Sequence, residues 1–217
     1  MAQTHEEIDL AVSADAVSLP GTLFLAPELE GLVLFVHGSG SSRFSRRNRA
    51  VASDLVDRGF ASFLFDLLTE REAMDRRNVF DIPLLATRVM AATTSLSRQH
   101  QVRDLPVGYF GASTGAAAAL LAAAEIGDGI SAVVSRGGRP DLAGEDLPQV
   151  TAPTLLIVGS LDGQVIDLNR AAQARLTCEN RLEIVEGATH LFEEPGKLEE
   201  VSRLAGDWFD EHFRKSL

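Results

Sequence analysis

Val107-Gly108-Tyr109-Phe110-Gly111-Ala112-Ser113-Thr114-Gly115-Ala116-Ala117-Ala118-Ala119 decides how this chain is read. An apolar run of strand length leads into Ser113, and an alanine-rich run of helical character leaves it. A strand that turns this sharply into a helix forces an unfavourable backbone on the residue at the turn. Side chains two positions before and two after would collide across it, and Gly111 and Gly115 remove that collision. Ser113 then stands above the sheet at a helix N-terminus, where backbone N–H groups stabilise negative charge. Small residues are common in turns, so a G-x-S-x-G match alone is a weak sign. The rest of the chain has to supply a base, an acid and an oxyanion site.

Outward from this turn, strand-like and helix-like segments alternate. Residues 6–13 and 17–26 read as two strands around a short turn, an antiparallel pair at a sheet edge. Leu32 to Val36 is a continuous apolar run, as expected of a strand buried on both faces. The spacing predicts further strands at 61–65, 106–110, 130–135, 154–158 and 182–186. Helices are predicted at 46–58, 80–99, 114–126, 166–176 and 196–214, with Pro83 tolerated in a first turn. Such alternation implies right-handed crossovers and an α/β fold. The expectation is a three-layer α/β/α sandwich around a mostly parallel, twisted sheet of about eight strands, one domain over 1–217. The loop between strands 130–135 and 154–158 is too short for a lid domain, so little or no lid is expected.

Bulk composition narrows the function classes. The 217 residues are 45% hydrophobic and 24% charged, values typical of a globular protein, with a net charge of −11. That balance argues against a nucleic-acid surface. Arg43, Arg46, Arg47 and Arg49 form one basic cluster, read as a solvated helix start or, less simply, an anion site. Cys178 is the sole cysteine, so no intramolecular disulfide forms, and a reducing, cytoplasmic setting is expected. The polar, acidic N-terminus does not read as a signal peptide. The longest apolar stretch, Ala116 to Ala124, is far short of the roughly 20 residues that cross a bilayer, so no membrane partner is expected.

In open α/β sheets, active residues gather in loops at the carboxyl ends of strands. Three candidates fall there in the order Ser, Asp, His: Ser113, then Asp162 in Gly159-Ser160-Leu161-Asp162-Gly163, then His190 in Glu186-Gly187-Ala188-Thr189-His190. Acyl transfer needs all three. A serine hydroxyl is a poor nucleophile at neutral pH, an imidazole must take its proton, and a carboxylate orients that imidazole. The rivals for the acid are Asp141 and Asp167, and for the base His5, His37, His100 and His212. The turn His37-Gly38-Ser39-Gly40 follows the 32–36 strand, and the Ser39 N–H is expected to join the Thr114 N–H in an oxyanion hole. His37 is expected to brace that turn and is carried, with Arg136, as a substrate-side candidate. Arg136 and Arg139 flank Gly137-Gly138 beyond another strand end. They tie loop carbonyls together or, for Arg136 above all, grip a substrate carboxylate or phosphate.

These motifs together resemble the α/β-hydrolase superfamily, nearest in size and layout to its compact dienelactone-hydrolase-like branch. The similarity covers nearly the whole chain. Phe65-Asp66-Leu67-Leu68-Thr69, Asn78-Val79-Phe80-Asp81 and Ser135-Arg136-Gly137-Gly138-Arg139-Pro140 resemble hydrolase modules sometimes fused to a phosphoribosyltransferase, and nothing in this chain resembles that transferase. Dienelactone hydrolases proper carry a cysteine at the elbow where this chain has Ser113, and no elbow surrounds Cys178.

The function expected is a serine hydrolase cleaving a small soluble ester, thioester or lactone through an acyl-enzyme. The alternatives are a non-catalytic binding or regulatory module of the same fold and an acyltransferase using the same residues. The G-x-G-x-x-G pattern begun at Gly38 fails at Arg43, no G-K-[ST] follows a glycine-rich loop, and no histidine spacing suits zinc. No metal and no cofactor are expected. The expected partner is a small-molecule substrate, with a homodimer or a partner protein left open.

Overall fold

A computed structural model describes residues 5–216. Its strands are β1 (Glu6–Ala14), β2 (Val17–Leu25), β3 (Gly31–Val36), β4 (Phe60–Phe65), β5 (Val107–Ala112), β6 (Ala132–Arg136), β7 (Thr154–Gly159) and β8 (Asn180–Val185). They form one eight-stranded sheet in the order β1-β2-β4-β3-β5-β6-β7-β8. β1 pairs antiparallel with β2, and β2 antiparallel with β4. Every pairing from β4 through β8 is parallel.

The helices are α1 (Arg46–Asp57), α2 (Glu70–Ala73), α3 (Arg76–Val79), α4 (Ile82–Leu96), α5 (Thr114–Ile126), α6 (Gly163–Gln173) and α7 (Lys197–Phe213). Strand alternation sorts the core onto two faces. Leu34, Val36, Tyr109, Val133 and Leu156 pack beneath α4, α5 and α6. Val33, Phe35, Phe110, Val134, Leu155 and Ile157 pack beneath α1 and α7 with Phe209 and Phe213. Ala116 to Ala119 of α5 are fully buried. Side chains this small let α5 lie close on the sheet, so the helix that starts at Ser113 is held in the centre of the molecule.

Two connections complete the layout, the first of them not expected from the sequence. The connection from β4 to α4 carries the two short helices α2 and α3. Neither is long enough to show a hydrophobic period; each is held by local bonds. Thr69 and Glu72 make reciprocal capping contacts at the start of α2, and Asp75 accepts the Arg77 N–H at the start of α3. The connection from β6 to β7 holds only 3-10 turns over Pro140–Gln149, anchored by buried Ala143 and Leu147. A lid domain is absent there among the described residues.

Candidate active site

Ser113 lies between β5 and α5 with φ 51° and ψ −125°, a left-handed conformation that a residue with a side chain seldom adopts. The surroundings impose it. The Ser113 N–H donates to the Arg136 carbonyl at 3.2 Å, and the Ser113 carbonyl accepts from the Arg139 N–H at 3.0 Å. A Cβ on Gly111 would stand 2.5 Å from the Ala116 Cα, and one on Gly115 would collide with the Val36 and His37 carbonyls. The two glycines are therefore needed for the close approach read from the sequence. The Ser113 side chain makes no capping bond to α5, so its hydroxyl is not used to hold the helix.

His190 and Asp162 meet across two loops. His190 Nδ1 bonds Asp162 Oδ2 at 2.6 Å, the imidazole being half-exposed and the carboxylate more covered. Asp162 occupies the position before α6 but does not cap that helix; its carboxylate is given to the histidine. An ionised carboxylate only accepts, so Nδ1 carries the proton and Nε2 is left as the basic nitrogen. Backbone bonds lock the two loops together. Leu161 N–H donates to the Ala188 carbonyl at 3.0 Å, and Gly187 N–H donates to Ser160 Oγ at 2.8 Å. Beyond His190, the Thr189 hydroxyl and N–H both donate to Glu194, which holds that carboxyl below its usual range. Phe192 adopts φ 56° and is buried beneath the loop. Gly137 touches the same loop: a Cβ there would lie 3.5 Å from His190 Cε1. The 136–137 segment thus borders both Ser113 and His190.

Asp141, Asp167, His5 and His212 are committed elsewhere, and His100 is exposed in the turn after α4. Asp141 takes both Arg139 bonds at 2.8 Å, and exposed Asp167 pairs with Arg170. His5 bonds Asp57, and His212 is buried against the Trp208 ring. Cys178 sits near Thr154 at the amino end of β7, the opposite end of the sheet from Ser113. The arginine cluster after β3 also resolves into separate contacts: Arg43 pairs with Asp66, Arg47 with Glu193, and Arg49 lies over the Phe24 ring.

Three expectations are corrected. The Ser39 N–H is not open to an oxyanion in this state, because it donates to Thr114 Oγ1 at 2.9 Å. His37 braces its turn, as expected, and has no ring nitrogen left over for a substrate. Its Nε2 accepts the Leu67 N–H at 3.1 Å and its Nδ1–H donates to the Gly38 carbonyl at 3.0 Å, so the ring ties the 37–41 turn to the end of β4. Burial pushes its pKa below the ordinary histidine value, against the pull of the Gly38 carbonyl and Asp66. Arg136 is withdrawn into the interior. It shares the face of Ala132 and Val134, toward α1 and α7, is 8% exposed, and donates from Nη2 to Asn48 Oδ1 at 3.3 Å. Its Nε and Nη1 find no partner, and burial with Arg47 nearby brings its pKa down to about 10.

Glu179, Glu211 and His212 bring possible metal-donor atoms within 4.8 Å of one another. They lie at the amino ends of the strands, away from Ser113.

A serine on such an elbow in a sheet of this order, followed by a bonded Asp–His pair on later strand ends, is the arrangement of the α/β-hydrolase fold, and solved structures carry the same architecture. A dienelactone hydrolase from Anabaena variabilis is 51% identical, with a TM-score of 0.92 over 96% of this chain and 98% of that one. The chain belongs to the dienelactone hydrolase family and has the α/β-hydrolase fold. Est1E from Butyrivibrio proteoclasticus, 17% identical with a TM-score of 0.81 over 95% of this chain and 99% of that one, shares the fold. Two Mycobacterium tuberculosis sequences, provisionally named phosphoribosyl transferases, are 56% identical over 204 residues, 94% of this chain. That match is 46% of their length, so the chain spans about half of the curated relatives it matches. No protein-family model matches. Among the described residues, no helix is long and apolar enough to cross a membrane.

Proposed function

We propose that the chain is a serine hydrolase of small esters, thioesters or lactones. The observation that carries this is the 2.6 Å Asp162–His190 bond beside a serine held at positive φ with its hydroxyl left out of helix capping. Holding a non-glycine residue in that conformation costs on the order of 1–3 kcal/mol, and a helix start requires no such strain.

Ser113 Oγ bonds to the acyl carbon while its proton passes to His190 Nε2. Asp162 holds the ring in the correct tautomer and stabilises the imidazolium. The bond from the acyl carbon to the leaving oxygen or sulfur then breaks, and the leaving group takes the proton from Nε2. Water repeats the sequence on the acyl-enzyme, with His190 as base and Ser113 as leaving group, and releases the acid. The Thr114 N–H, in the first turn of α5 where no intrahelical acceptor exists, is one oxyanion donor. The Thr114 hydroxyl is the second: it accepts from the Ser39 N–H and keeps its own proton to give.

The transferase description of the mycobacterial relatives belongs to proteins about twice the matched length; we assign any such chemistry to their other half. The test is hydrolysis of p-nitrophenyl acetate and butyrate. Wild-type turnover that falls by several orders of magnitude in Ser113→Ala supports the proposal, and turnover equal in both proteins removes it.

A further inference from the structure

We infer that the site selects on its acyl side, taking short apolar acyl groups of about three or four carbons beyond the carbonyl and tolerating a bulky alcohol. The inference rests on Ser113 being the nucleophile. Strand order gives the two sides of the cleft different partners. β6, β7 and β8 lie on one side of β5, and their loops bring Asp162 and His190. β3 and β4 lie on the other. When an ester carbon is bound to Ser113 Oγ, its oxyanion turns toward the Thr114 donors, and its leaving oxygen must face His190 to be protonated. The remaining substituent, the acyl chain, is directed to the β3–β4 side.

A cavity of about 110 Å³ lies on that side. The 37–41 turn forms its inner wall, and Leu67, Leu68, Ala73, Val79 and Leu85 form the rest. Gly38, one of its lining residues, packs directly on the nucleophile's backbone: a Cβ there would stand 2.8 Å from Ser113 Cβ. The residues of the β4–α4 connection that line the cavity, Leu67, Leu68, Ala73 and Val79, are apolar, which suits a hydrocarbon. The volume sets the length. A cavity of roughly 150 Å³ takes a benzene ring, and a water-sized group fills about 30 Å³. The space therefore holds a chain of about three or four carbons. The leaving-group side is built differently. Leu161 and Leu191, next to Asp162 and His190, are 65% and 40% exposed, so apolar side chains on this side stand open to solvent.

The experiment uses two ester series on the intact protein. With p-nitrophenol fixed, kcat/KM should rise about fourfold per methylene from acetate, about 15-fold by butyrate. It should peak at butyrate or pentanoate and drop at least 100-fold by octanoate. With butyrate fixed, changing the alcohol from phenol to a naphthol, leaving groups of similar acidity, should change kcat/KM by less than tenfold. Val79→Phe should remove butyrate turnover and spare acetate, and Leu68→Ala should move the optimum to longer chains. A response to alcohol size but not to acyl length would overturn the inference, as would wall variants that leave the chain-length profile unmoved. Ser113-dependent hydrolysis that is flat across acyl lengths sinks only this inference. Absence of Ser113-dependent hydrolysis for every ester sinks the function and the inference with it.

Discussion

Thr114→Val isolates one hydroxyl at the site. Valine keeps the shape of a side chain that is 5% exposed and removes only the oxygen that accepts the Ser39 N–H at 2.9 Å. With the Thr114 hydroxyl as an oxyanion donor, its loss removes one of two donors. One such donor is worth about 10²- to 10³-fold in turnover. Ser39 and Gly40 are exposed, so water reaches this cleft and the lower figure applies: kcat should fall about 100-fold, near 2.7 kcal/mol, with KM changed little. Thr114→Ser should restore most of it. The opposite result has an equally definite size. If the Ser39 N–H itself received the oxyanion, the enzyme would first have to break its bond to the Thr114 hydroxyl, at about 0.5–1.5 kcal/mol. The valine variant would then be about two- to tenfold faster. Steady-state kinetics on p-nitrophenyl butyrate, with thermal melts to confirm folding, separates the two. A valine variant as fast as wild type or faster refutes the hydroxyl as donor.

Asp162→Asn should lower kcat by about 10⁴-fold, the size seen for this change in a Ser-His-Asp protease, because the amide stabilises the wrong tautomer of a ring now held at 2.6 Å; a loss under tenfold would remove Asp162 as the orienting acid. His37 has its folded pKa lowered from 6.5, chiefly by burial, so the unfolded chain binds the proton more readily. Stability is then full above about pH 6.5 and is lost as pH falls toward the folded pKa, with a slope of at most about 1.4 kcal/mol per pH unit. His37→Gln keeps an acceptor for the Leu67 N–H and removes the titration, so its Tm should fall less between pH 7.5 and 5.5 than that of wild type; parallel curves would contradict the assignment. Arg136→Met should leave Tm unchanged or raised, since a buried charge without a carboxylate partner is replaced by an apolar chain. Its kcat/KM should change equally for neutral and anionic esters, and a loss confined to anionic esters would return Arg136 to the substrate.

The sheet was legible because its central strands are buried on both faces. Leu32 to Val36 and Thr154 to Val158 read as unbroken apolar runs, and the glycines at 111 and 115 are needed for a close approach that no side chain fits. Asp162 and His190 were legible as strand-end residues, because each parallel strand delivers its last loop to the same edge. What escaped depends on contacts between distant positions or on a face. The Ser39–Thr114 bond joins residues 75 apart and leaves no local pattern. α2 and α3 are set by caps at Thr69 and Asp75 rather than by a period. Arg136 carried a readable signal: alternation with Ala132 and Val134 places it with the buried α1–α7 face, and the expectation of a substrate contact ignored it. The support beneath His190 from Phe192 and Glu194 is a local turn with a positive φ at a phenylalanine, which no composition rule anticipates.

The central claim is that Ser113 is a nucleophile activated by His190. A fluorophosphonate probe reacts covalently with such a serine and with little else. Incubation of the folded protein followed by peptide mapping should place one adduct on Ser113, lost in Ser113→Ala and strongly slowed in His190→Ala. A folded wild-type protein that takes no label, or takes it at a residue other than Ser113, would contradict the account.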